Sequence, residues 1–83
     1  MTNKAISLDP LSAKAEELFE LGLRYCLGQG VEANFVEAHK WFNISALKGS
    51  QAAKFYRREL SQEMTSVQVA EAQRQARALI TLH

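Results

Sequence analysis

Residues 21–49 read LGLRYCLGQGVEANFVEAHKWFNISALKG. Apolar residues recur three and four apart on both sides of a glycine-punctuated break at Gly28-Gln29-Gly30. That period belongs to amphipathic helices, and the break to a turn between them. Two antiparallel helices packed around a tight link are therefore expected here. Asn34 followed by Glu37 has the spacing of a capping box and marks the start of the second helix. Gly28 and Gly49 stand where helix ends need a left-handed residue.

Outward from this pair, the signals remain helical. Asp9-Pro10 suits a helix start, because Asp caps and Pro tolerates the first helical position. Residues 1–8 form an N-terminal arm, expected to be flexible, and residues 9–83 a single domain. Its helices are expected at about 10–27, 35–48, 51–62 and 66–81, with Ser50 capping the third. Thr65 and Gln68 make a capping box for the fourth. No run alternates apolar and polar residues with β-branched enrichment, so the fold class is all-α, an antiparallel helical stack.

The first helix carries more apolar surface than one neighbour can bury. Leu18, Leu21, Gly22 and Tyr25 share one face, and Phe19, Leu23, Cys26 and Leu27 the adjoining one. A surface helix needs an apolar arc of about 100°, and this one is about twice as wide. The second face requires cover from the third helix, a second copy of the chain or a foreign peptide. Gly22, in mid-helix, calls for a close helix approach, with Trp41 or Ala38 as the expected neighbour. Trp41 reads as core. The fourth helix places Val69, Ala72, Ala76, Leu79 and Ile80 on one face, an alanine-rich seam suited to closing the stack or docking on a partner.

With 83 residues, 47% hydrophobic, the chain holds one small folded domain with a thin stability margin. Net charge is +1, which gives no bulk attraction to polyanions. Up to Leu47 there are four bases and six acids; from Lys48 onward, six bases and three acids. Opposed halves of this kind are compatible with head-to-tail association, but such asymmetry is more often only a solvated surface. Cys26 is the single cysteine, which excludes an internal disulfide. No apolar run approaches the ~18 residues of a membrane span, and no secretory leader pattern opens the chain. A cytoplasmic protein is the expectation.

Catalytic and ligand-binding patterns are sparse. His39, assigned to the side of the second helix away from the core, and the terminal His83 lack partners at metal-ligand spacing. Cys26 has no base nearby in sequence, and reads as a small buried apolar residue. Gly28-Gln29-Gly30 follows a helix rather than a strand, so it is no phosphate loop. No enzyme, cofactor or metal is expected. Nucleic-acid binding is the alternative from another class: Arg57-Arg58, with Lys54, Arg74 and Arg77, lie in sequence near Phe55 and Tyr56. Glu59, Glu63 and Glu71 dilute that patch.

The spacing Leu21-Gly22, Tyr25, Gly28, Gly30-Val31, Asn34, Ala38, Trp41-Phe42, Ser45-Ala46, Gly49 resembles the SEL-one-like repeat, a relative of the tetratricopeptide repeat. Asn34 stands where that repeat usually has Asp, and Ser45 where it has Ala. Ala52-Ala53 and Phe55-Tyr56 resemble the opening of a second, degenerate repeat, and residues 64–73 the closing helix of some bacterial members. The resemblance implies an α/α solenoid fragment acting as a non-enzymatic adaptor or regulator that binds another protein. Carried over by spacing from Gly22, its partner-binding surface includes Glu16, Phe19, Leu23, Cys26 and Leu27. Solenoids generally need about three repeats for a continuous core, so a lone unit seeks burial from flanking helices, a homodimer or a host protein.

Overall fold

The computed structural model describes residues 12–82, all of whose regular structure is helical: α1 (Ala15–Leu27), α2 (Phe35–Leu47), α3 (Gln51–Ser61) and α4 (Ser66–Leu82). Three of these helices lie within about a residue of their expected bounds. The first starts later than expected. Residues 12–14 are turn and extended backbone, and the proposed start at Asp9-Pro10 lies outside the described residues. Lys14 caps α1 instead, its backbone N–H donating to the Glu17 carboxylate at 2.8 Å. Two further groups hold this entry in place from the far end of α2. Ser45 Oγ donates to the Ala15 carbonyl at 2.6 Å, and Lys48 Nζ to that of Ala13 at 2.8 Å.

The remaining caps follow local chemistry. Gly28 ends α1 at φ 72°, a left-handed conformation that costs glycine little. Asn34 Oδ1 accepts from the Glu37 N–H at 3.0 Å, but Glu37 does not close the box. Its carboxylate accepts from Trp41 Nε1 at 3.1 Å and pairs with Lys40 at 2.8 Å. The Asn34 N–H goes to the Tyr25 carbonyl, tying the link back onto α1. Ser50 caps α3, and Thr65 and Gln68 bond reciprocally at the start of α4.

The helix α2 is the hub, packed by α1, α3 and α4 on three sides. Its composition explains this, since Ala38, His39, Trp41, Phe42, Ile44 and Ser45 are all buried and leave no broad polar face. The pairing Asn34–Tyr25 and Ser45–Ala15 makes α1 antiparallel to α2. Asn43–Arg57 and His39–Ser61 do the same for α3. α1 and α3 therefore run in the same direction along α2.

Gly22 permits a close approach, and Phe42 fills the space rather than Trp41 or Ala38. A Cβ on Gly22 would sit 2.5 Å from the Phe42 ring. Trp41 is core, grouped instead with Leu18, Ile44 and Ala76. In α4, Ala72 and Ala76 are fully buried, so the alanine seam closes one side of the stack. No helix among the described residues is long and apolar enough to cross a membrane.

Candidate functional site

The surplus apolar face of α1 meets α3 along only part of its length. Phe19, at the near end, packs its ring against Phe42 (centroids 5.8 Å) and edge-on against Tyr56 of α3 (5.3 Å). Tyr56 also touches Phe42 at 5.8 Å, so three rings close this end. One and two turns further on, Leu23 and Cys26 reach the cluster formed by Ala38, Phe42, Ala53 and Leu60, joined by Met64 beyond α3. They remain half-buried, and Leu27 is 61% exposed. Both α1 and α3 lean on α2 rather than on each other. The result is a furrow with Phe19, Leu23 and Cys26 on one wall, Tyr56 and Met64 on the other, Phe42 beneath and Leu27 at its exposed end.

The polar rim follows from helical position. Glu16 and Glu20 lie three residues before Phe19 and Leu23, on the outer edge of that wall, and both are exposed. On α3, Tyr56 fixes the edge that faces α1. Glu59, three residues on, shares that edge and is exposed. Glu16 and Glu20 thus border the furrow on α1, and on α3 Glu59 does so beside Phe55, whose ring meets Tyr56 edge-on at 5.7 Å. Of the five expected partner-binding residues, Phe19, Leu23 and Cys26 enter its wall and Glu16 and Leu27 border it. Tyr56 and Met64 were not anticipated. They belong to segments read as a degenerate repeat and as a closing helix, and only the antiparallel return of α3 brings them to α1.

Cys26 is a free thiol, and burial pushes its pKa up, so it stays protonated and serves as a small apolar residue. Among the described residues no three His, Cys, Asp or Glu side chains gather as metal ligands.

His39 departs from its expected place. It is 1% exposed, turned toward α3, and its Nε2 lies 2.9 Å from Ser61 Oγ. A serine beside a histidine invites a nucleophile reading, which the hydrogen-bond directions oppose. Ser61 Oγ donates its proton to the Arg57 carbonyl at 2.8 Å. It can only accept from His39, whose Nε2 therefore carries the hydrogen. Nδ1 is left as a buried lone pair without a partner. Burial, and then the Arg57 charge, lower the His39 pKa, against a smaller opposing contact with its own backbone. The pair is a neutral latch between α2 and α3. Sequence spacing hid it because the ring is buried by α3 and not by α1.

The basic residues are dispersed. Arg57 Nη1 donates to Asn43 Oδ1 at 2.7 Å, and Arg74 forms a bidentate pair with Glu71. Lys54, Phe55 and Arg58 remain exposed and, with Gln51 and Arg57, line a shallow hollow on α3. Tyr56 is turned to the furrow. The chain matches no family model, no curated protein and no solved structure.

Proposed function

We propose that this protein is a non-enzymatic interaction module, an adaptor or regulator that takes a partner protein or peptide into the furrow between α1 and α3. The observation that carries the reading is the incomplete cover of one face of α1. Leu23 and Cys26 are half-buried and Leu27 is 61% exposed, next to the ring cluster of Phe19, Phe42 and Tyr56. A contiguous apolar strip with a polar border is the usual form of a protein-binding surface. The resemblance of residues 21–49 to the SEL-one-like repeat supports the same role, since the first helix of such a repeat lines the binding surface.

The test is a paired capture with wild type and Leu23→Asp as baits, both checked for helix content by circular dichroism. A protein retained by wild type and lost with the folded variant, then reproduced with purified components, is the expected result. Equal retention by both baits would refute the furrow as the binding face.

A second reading, nucleic-acid binding through Arg58 and Lys54 beside Phe55, draws on the hollow they line. It predicts binding to oligonucleotides that weakens steeply with salt. No shift with single- or double-stranded oligonucleotides at low salt would dismiss it.

A further inference from the structure

The contact between α2 and the end of α3 depends on one uncharged ring. His39 is almost wholly buried there, with Nε2 donating to Ser61 Oγ and Nδ1 left without a partner. A proton on Nδ1 would create a buried cation with no side chain to accept from it. The Arg57 guanidinium, held to Asn43 by a 2.7 Å hydrogen bond, acts on the ring from α3 and repels that charge. Among the described residues it is the only charged group acting on the ring, and a weaker contact with the histidine's own backbone is all that favours the cation. Glu37 and Lys40, the ionised neighbours on α2, pair with each other at 2.8 Å.

Relief lies on the α3 side. The hub α2 is also held by α1 and α4, whereas α3 leans chiefly on α2. The last turn of α3 is anchored by buried Leu60 and by the Ser61–His39 contact. With 11 residues, α3 is too short to stay helical once its end loses that support.

We propose that His39 and Ser61 form an acid-operated latch: a proton on the ring detaches the last turn of α3 from α2, while α1, α2 and α4 stay packed. Once the turn is detached, the ring is solvated and titrates near its ordinary value of 6.5, whereas the closed ring resists protonation until lower pH. The latch is therefore closed above about pH 6.5, and the detached fraction grows by up to about tenfold for each unit below it. Met64, just beyond α3, packs in the furrow wall, so the furrow loosens with the latch. That consequence rests on the furrow being an interaction surface; the latch itself does not.

The experiment is amide hydrogen exchange at pH 7.5, 6.5 and 5.5, corrected for the intrinsic pH dependence of exchange, on wild type, His39→Gln and Arg57→Gln. Protection of the Leu60, Ser61 and Gln62 amides in wild type should fall by up to about tenfold between pH 6.5 and 5.5. The amides of Ile44 and Ala76 should keep theirs. His39→Gln retains a donor for Ser61 without titrating, and should abolish the fall. Arg57→Gln retains a donor for Asn43 without the repelling charge, and should reduce it. The assigned His39 ring signals, followed by NMR in wild type, should shift in step with the loss of protection.

An equal loss at Ile44 and Ala76 would mean global unfolding and overturn the latch. Protection independent of pH, or an unchanged fall in His39→Gln, would also overturn it. So would a loss of protection without titration of the ring, a result that needs no variant to fold. None of these readings involves a partner, so a failure of the furrow as a binding face is read separately, from Leu23→Asp in the paired capture.

Discussion

Two sides of α2 are covered in contrasting ways. Toward α4, the contact is made by alanines: Ala72 and Ala76 lie fully buried, Ala76 in one cluster with Trp41 and Ile44, and Leu79 and Ile80 pack at its margin. Toward the space between α1 and α3, it is made by rings and long aliphatic chains, and Leu27 stays largely in solvent while Tyr56 is partly exposed. Small side chains let helix axes approach until little gap remains, whereas large ones hold the helices apart and fill the space incompletely. The same short chain thus has a sealed side, suited to stability, and an unfinished one, suited to contact. Phe42 lies beneath the second side and against Gly22 of α1, so it links stability to the furrow.

The largest effect should come from Phe42→Ala, which removes the shared floor. It should cost about 3–5 kcal/mol, enough to unfold a domain of this size, as read by urea denaturation. A loss under about 1 kcal/mol would mean that the floor is loosely packed. On the sealed side, Ala76→Leu should cost about 1–3 kcal/mol by overpacking. If it stabilises the protein, the alanine seam is not tight and the contrast fails. Gly22→Ala belongs to the same class. Its clash with the Phe42 ring should outweigh the ~1 kcal/mol gained in helix propensity, lowering the melting temperature.

The next effect depends on pH. His39 is held neutral in the fold, with a pKa below the ordinary 6.5. In the unfolded chain it takes up a proton as pH falls through 6.5, while the folded form resists until lower pH. The unfolded state then binds more protons, so stability is intact above 6.5 and declines below it. His39→Gln keeps a donor for Ser61 without titrating. It should flatten the slope of stability between pH 7.5 and 5, and an unchanged slope would show that His39 protonates without penalty. Smallest of all, Leu27→Ser should shift stability by no more than about 0.5 kcal/mol. A larger loss would show that the furrow edge is better packed than its exposure indicates.

The helices were legible because their signals are local. Asn34, Ser50 and the Thr65–Gln68 pair each cap the helix that follows, through contacts within three residues. The start of α1 was misplaced because its cap, Lys14 with Glu17, lacks a conventional capping residue. Glu37 shows the limit of the same logic. It has the spacing of a capping box, yet its carboxylate goes to Trp41 and Lys40.

The candidate site was half legible. The width of the apolar arc on α1 pointed to Phe19, Leu23, Cys26 and Leu27, since periodicity records how much surface must be covered. It does not record by what. Tyr56 was read as part of a basic aromatic patch, and His39 as outward-facing, because each is positioned by a helix distant in sequence.

The sequence by itself determined four helices, their links and an excess of apolar surface on the first, because turn chemistry and helical period act over a few residues. The tertiary structure decided that α2 is the hub, that Phe42 rather than Trp41 lies over Gly22, and that α3 covers the excess only in part. Those outcomes depend on how side chains of different size let three helices share one neighbour. No local pattern encodes that packing, since it is set by contacts between residues far apart in the chain.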